Sequence, residues 1–171
     1  MGINPAFPEP APSVPSGTAA MRRLRVVGIA ALVFALDQLS KWIIAATIPT
    51  GEALVVTPFF QLVSVYNPGA AFSFLASAAG WQRWFFLAIA LAVTLWLLWE
   101  AGTATRKTLL TAYGMIVGGA LGNAWDRVAH GAVHDFLLFH YRAWHWPAFN
   151  LADSAITLGV ALLLWHLRKD R

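Results

Sequence analysis

The chain has 171 residues, 58% of them hydrophobic and only 12% charged, with nine tryptophans and eleven phenylalanines. A soluble domain carries about 25% charged residues, so this composition argues against a water-soluble protein and for an integral membrane protein. Cysteine is absent, which removes disulfides, thiolate nucleophiles and cysteine metal sites, and the net charge of +4 comes mostly from residues flanking apolar runs, a sign of membrane topology rather than of nucleic-acid binding.

Residues 1–20, "MGINPAFPEPAPSVPSGTAA", are rich in Pro, Ala and Ser without periodicity, and a disordered leader is expected there, ahead of a single membrane domain over 21–171. "MRRLR" and the apolar run behind it resemble a signal peptide, but the run is too long for an h-region and more apolar segments follow. An anchor is expected instead. Four segments approach the ~20 residues that a spanning helix requires: 25–48, 83–99, 107–127 and 149–167. The expected fold class is therefore an all-α integral membrane protein with four transmembrane helices. Arg22, Arg23 and Arg25 precede the first span, Arg106 and Lys107 separate the second from the third, and Arg168, Lys169 and Arg171 follow the fourth. The positive-inside rule then places both termini in the cytoplasm.

Both outer connections have character of their own. Residues 51–75 contain β-branched and aromatic residues in partial alternation, which predicts a short strand-like cradle on the outer membrane face. Residues 128–148 carry His134, His140, Trp144, His145 and Trp146, which fits an amphipathic interfacial segment.

At about 1.5 Å per helical residue, Asp37 lies roughly 18 Å from Arg25, in the outer half of a ~30 Å hydrocarbon core. Lys41, one turn on, is expected to snorkel to the outer interface. Asn123, Asp126 and Arg127 close the third span at that level, Asn150 and Asp153 open the fourth there, and Asp135 lies in the loop between them. Four of the eight acidic residues thus share one outer layer. Asp37 and Lys41, at i and i+4, fit either an ion pair that eases insertion or a functional pair. Asp126 beside Arg127 fits a structural role, and Gly114, Gly118 and Gly122, on one helical face, fit close helix packing within one chain or between two.

Metal and serine chemistry find little support. There is no H-E-x-x-H, Gly131 interrupts the His130–His134 pair, and no serine sits in a G-x-S-x-G elbow or a suitably spaced Ser–Lys dyad. Paired carboxylates remain. Two aspartates sharing a site titrate apart, so one can activate water while its neutral partner polarises a carbonyl. A proton-coupled transporter with Asp37 and Lys41 in a relay is the competing reading from another class. It predicts polar groups through the whole membrane depth, whereas here the cytoplasmic halves of the spans are nearly free of them.

Five stretches in order, "DQLSKW", "YNPGAAFSF", "GGALGNAWDR", "VHDF" and "FNLADSAI", resemble lipoprotein signal peptidase, the bacterial signal peptidase II. The resemblance covers about residues 25–167 and implies an aspartic endopeptidase of the bacterial inner membrane, inhibited by globomycin, with its site near the extracytoplasmic face. By motif position it implies catalytic roles for Asp135 and Asp153. It implies supporting or substrate-contacting roles for Asp37, Lys41, Asn67, Gly69, Asn123, Asp126, Arg127 and Asn150. It further implies a prolipoprotein substrate cut just before a diacylglyceryl cysteine, lipid contacts, no metal or other cofactor, no nucleic acid, and a monomer. The strand-like segment from Val63 to Phe74 is expected to cradle the substrate, with Asn67 pointing at the site. Two residues depart from the family's habit: His134 stands where an apolar residue is common, and Trp125 replaces an aliphatic residue.

Overall fold

The structure, a computed structural model, describes residues 16–69 and 80–169. The elements run α1 (Ser16–Thr47), β1 (Ala53–Thr57), β2 (Phe60–Asn67), α2 (Gln82–Glu100), α3 (Lys107–His130), β3 (Val133–Tyr141), β4 (Trp144–His145) and α4 (Leu151–Lys169). The four expected spans coincide with the four helices to within a few residues, except at the first. Helix α1 begins at Ser16, inside the segment expected to be a disordered leader. Its first residues, Ser-Gly-Thr-Ala-Ala, lack the prolines that precede them, so nothing opposes continuing the helix outward from Arg22. Residues 1–15 lie outside the described residues.

Among the described residues three helices, α1, α2 and α4, are long and apolar enough to cross a membrane. Helix α3 is of similar length but is diluted by glycine, threonine and asparagine, because it packs against all three other helices and presents backbone rather than bulk to them. A Cβ on Gly118 would stand 2.6 Å from the carbonyl oxygen of Ala30, and one on Gly114 would stand 2.6 Å from Cβ of Ile29, so this glycine face seats α1. Gly119 and Gly159 do the same between α3 and α4, against the carbonyl oxygens of Ala152 and Ala112. The glycine face is therefore used within one chain, as small-residue contacts commonly are where apolar burial gives helices no reason to associate.

Helix α1 reads as one buried stripe, Val26, Ala30, Asp37, Lys41 and Ile44, continued by Ile48 just past its end. The apolar ends of the stripe belong to two clusters. Val26 and Ala30 join Leu97, Tyr113, Ile116 and Val117 at one end of the bundle, while Ile44 and Ile48 join Phe136 beneath the sheet. The polar pair sits between them. At the first end Arg22 and Arg23 donate to the carbonyl oxygens of Gly102 and Leu98 at 3.1 Å each, which supplies cations and donors to the C-terminal end of α2.

The outer connections form one antiparallel sheet in the order β1-β2-β3-β4. The strand expected in 51–75 is present as β1 and β2, with residues 70–75 of that expectation outside the described residues. The stretch 128–148, expected as an amphipathic interfacial segment, takes the form of a helix end and two strands. Helix α3 continues to His130, Gly131 closes it in the left-handed region at φ 76°, and the chain then pairs with β2 as β3. A left-handed C-cap followed by "VHDFLLFHY" favours a strand, and β2 offers an open edge to satisfy its backbone. Tyr141, Trp144 and Trp146 remain exposed.

Replacing Gly118 with Ala is expected to lower stability by roughly 1–3 kcal/mol through overpacking. Gly28→Ala, whose Cβ meets nothing within 4 Å, should leave stability unchanged. Thermal unfolding of the two variants in detergent checks the difference.

Candidate active site

The layer between the two apolar clusters is held together by one cation. Lys41 Nζ lies 2.8 Å from Asp37 Oδ2 and 2.7 Å from Asp126 Oδ2, and donates to Asn123 Oδ1 at 3.2 Å. Three acceptors match the three hydrogens of an ammonium group. The lysine is only 4% exposed, so the expectation that it snorkels to the interface is wrong. Two carboxylates and an amide hold it inward more strongly than water could draw it out.

The two carboxylates reach further. Asp37, fully buried, accepts the backbone N–H of Ala152 at 2.9 Å on Oδ1, in the first turn of α4 where helix N–H groups lack internal partners. Asp126 Oδ2 accepts the backbone N–H of His134 at 3.1 Å. Gln38 joins the pair, its Nε2 donating to Asp37 Oδ2 at 3.1 Å and to Asp126 Oδ1 at 3.0 Å. Gly122 leaves room for the Asp37 carboxyl between α1 and α3, since a Cβ there would stand 2.5 Å from Asp37 Oδ2. One ion-pair layer thereby fixes the start of β3 and the start of α4.

Those two starts carry the remaining aspartates. Asp135 lies on β3, is buried, and pairs across the sheet with Val65. Asp153 lies in the first turn of α4. There the helix opens with a reciprocal cap: Asn150 Oδ1 accepts the Asp153 N–H at 2.9 Å, and Asp153 Oδ2 accepts the Asn150 N–H at 3.3 Å. This is the capping-box arrangement built from Asn and Asp. The cap also sets the orientation of the Asp153 carboxyl, whose other oxygen accepts Asn123 Nδ2 at 2.7 Å.

Asn150 joins the two aspartates. Its Nδ2 donates to Asp135 Oδ1 at 2.8 Å and to Asn123 Oδ1 at 3.0 Å, while its backbone holds Asp153. Asn67, at the end of β2, donates to Asp135 Oδ2 at 3.1 Å, and its Oδ1 accepts the N–H of Gly69 at 2.9 Å. That glycine has φ 114°, which side-chain-bearing residues rarely adopt. Arg127 donates to the Asn123 carbonyl oxygen at 3.1 Å and lies over the Phe86 ring at 4.7 Å. Burial pushes the Asp135 carboxyl up to about 7. The donors Asn67 and Asn150 oppose that rise, and the neighbouring Asp153 adds to it.

All ten residues singled out from the sequence thus enter one connected network. Gln38 and Ser64 belong to its surroundings and were not singled out, while Gly122, read from the sequence as helix packing only, lies against Asp37. Gln38 stood inside "DQLSKW", and its i+1 place after Asp37 was the available signal. Ser64 had none, because only the strand register brings it to His134. Trp125 is exposed on the outside of α3, away from the network.

A profile of the signal peptidase II (SPase II) family matches residues 29–169. The chain belongs to the signal peptidase II family. It is 50% identical over 149 residues to a lipoprotein signal peptidase of Polynucleobacter necessarius, covering 86% of this chain and 91% of that one. It is 56% identical over 138 residues to a lipoprotein signal peptidase of Azoarcus, covering 80% and 78%. A solved structure described as a bacterial membrane enzyme superposes with a TM-score of 0.74 at 33% identity, over 91% of this chain and 95% of that one. Family membership makes the chain a peptidase, and its apolar helices and structural neighbours make it an integral membrane protein.

Lys41→Met leaves two buried carboxylates facing each other without their cation, and is expected to destabilise the fold by about 3–5 kcal/mol. Adding Asp37→Asn and Asp126→Asn should recover much of that loss. Unfolding midpoints of the single and triple variants check it.

Proposed function

We propose that this signal peptidase II cleaves diacylglyceryl-modified prolipoproteins just before the lipidated cysteine, with Asp135 and Asp153 as a catalytic dyad. The observation that carries the reading is the bridge through Asn150, which binds both carboxyl groups at once, beside a burial that raises the proton affinity of Asp135 above that of an ordinary aspartate. A carboxyl that titrates near neutrality can hold a proton where a hydrolytic site needs an acid.

In this mechanism Asp153 takes a proton from water as the resulting hydroxide attacks the scissile carbonyl carbon. Asp135 gives its proton to the carbonyl oxygen, so the tetrahedral intermediate is a neutral diol. Collapse breaks the C–N bond. The nitrogen of the lipidated cysteine leaves with the proton held by Asp153, and Asp135 recovers one from the diol. Asn67, Asn123 and Asn150 keep the two carboxyls aimed, and Lys41, held by Asp37 and Asp126, keeps Asn123 in place and through it Asn150. No step calls on a metal.

The same reading places four spans in the bacterial inner membrane with both termini cytoplasmic and the dyad near the extracytoplasmic face. Supporting it, the cationic residues Arg22, Arg23, Lys107, Arg168 and Lys169 lie at helix ends remote in sequence from the dyad. A lipid-bearing substrate requires a site that acyl chains and water can both reach, and the exposed Tyr141, Trp144 and Trp146 suit the headgroup region beside it. The glycine contacts spent inside the chain favour a monomer. A proton relay through the membrane is disfavoured, because the end of the bundle opposite the sheet is occupied by the apolar cluster around Val26 and Leu97.

Asp135→Asn and Asp153→Asn should each lower cleavage of a diacylglyceryl prolipoprotein by about 10²–10⁴-fold while the protein stays folded. In the wild type, kcat/KM should fall as pH rises through about 7, because Asp135 then loses the proton it must donate. Cleavage followed by mass spectrometry measures both. Normal cutting by both variants would sink the dyad.

A further inference from the structure

His134 precedes the reactive Asp135, and by strand alternation its side chain occupies the other face of β3. It is 3% exposed, deeper than histidine usually lies. Four contacts hold it. Its Nε2 is 3.0 Å from Ser64 Oγ, and its ring stacks on Tyr66 with centroids 4.8 Å apart and planes 14° from parallel. Its backbone N–H goes to Asp126 Oδ2 at 3.1 Å, and its carbonyl oxygen accepts Asn150 Nδ2 at 3.4 Å.

These contacts gather where the sheet is least constrained. Between Leu62 and Val65 the β2–β3 register shifts by one residue, Leu62 facing Leu137 but Val65 facing Asp135. A bulge leaves a residue out of the ladder, and a slip of one residue would turn Asp135 to the wrong face. Ser64 belongs to that bulge, and Tyr66 stands directly opposite His134. We propose that His134 is a positioning residue for Asp135: bound to Ser64 and stacked on Tyr66, it locks the bulged register that turns the Asp135 carboxyl toward Asn150 and Asp153. The proposal rests on the dyad reading above.

The neutral ring is the form that does this. Behind it lies a cavity of about 200 Å³ lined by Lys41, Trp42, Tyr66, Asp126 and His130 as well as His134. The charged and titratable groups facing the ring are Asp126 and His130 from α3 and Lys41 and Asp37 from α1. Burial favours the neutral imidazole, with Lys41 and His130 acting in the same direction and Asp126 and Asp37 against it. A proton forced onto the ring places a second buried cation beside Lys41, offset only by Asp126 and Asp37.

The test measures kcat and KM for the full chain in lipid nanodiscs, with a diacylglyceryl prolipoprotein, from pH 5 to 8. His134→Val should lower kcat at pH 7 by about fivefold, the effect of losing one hydrogen bond, with KM unchanged. Ser64→Ala should do the same. His134→Gln, which keeps a polar atom near the Nε2 position but cannot be charged, should retain kcat at pH 7 within about twofold, on the same hydrogen-bond scale. It should also hold its kcat below pH 6, where the wild type declines. Thermal midpoints accompany each variant, and Ser64→Ala and His134→Gln carry the test if His134→Val does not fold. Wild-type kcat at every pH in Ser64→Ala and His134→Gln overturns the proposal. So does a His134→Gln enzyme as slow as His134→Val, because packing alone would then explain the site. Asp135→Asn in the same assay keeps the two ideas apart: its normal activity would remove the dyad whatever His134 does.

Discussion

A lysine buried between two aspartates is the constraint on which the rest of this structure depends. Taking one ammonium and two carboxylates out of water carries a desolvation cost of several kcal/mol per ion. The cost is met only if every hydrogen-bonding position is filled, and Lys41, Asp37 and Asp126 fill theirs from α1, α3, β3 and the first turn of α4. Because the acceptors come from different elements, the helices cannot slide past one another by a turn without stranding a charge. A layer of this kind contributes less to net stability than to the choice of a single register.

The proposed dyad hangs from that layer through amides rather than directly. Asn123 and Asn150 each offer a donor and an acceptor on one planar group, so each can hold a carboxylate on one side and another partner on the other. Asn123 thus accepts from Lys41 and donates to Asp153. Asn150 accepts from the Asp153 N–H and donates to Asp135. Charged side chains in those places would have moved the proton affinity of the aspartates by units. Amides orient them and leave burial to set Asp135. The glycines at 119 and 122 are what allow the helices near enough for such short side chains to meet.

How much of this was legible in the chain depends on the kind of evidence. Hydrophobic runs located the four helices, and three of them, α1, α2 and α4, are apolar enough over their length to cross a membrane, as a helix in lipid must be. The connected site was legible through five spaced motifs. Two readings fell short for want of a partner's position, and a third on a boundary. Lys41 looked free to reach the interface until Asp126 and Asn123 arrived from α3. Within 128–148 the strand β3 was not legible locally, because its pairing strand lies some seventy residues earlier in the chain. The leader was drawn five residues into α1, since Ser, Gly and Ala were counted with it, whereas the last proline, Pro15, stands directly before the helix.

By itself the sequence determined the membrane class, the helices, the clustering of aspartates at one level and the family to which the chain belongs. These follow from local composition and from residues at fixed spacing. Only the tertiary structure decided which acceptors Lys41 meets, that the glycine face of α3 is used within the chain, and that Asn150 bridges Asp135 and Asp153. It also turned His134, an unexplained departure in "VHDF", into a residue wedged between Ser64 and Tyr66. Such facts depend on groups far apart in the chain meeting within about 3 Å of one another, the range of a hydrogen bond. Packing and register set that distance, and no local pattern encodes it.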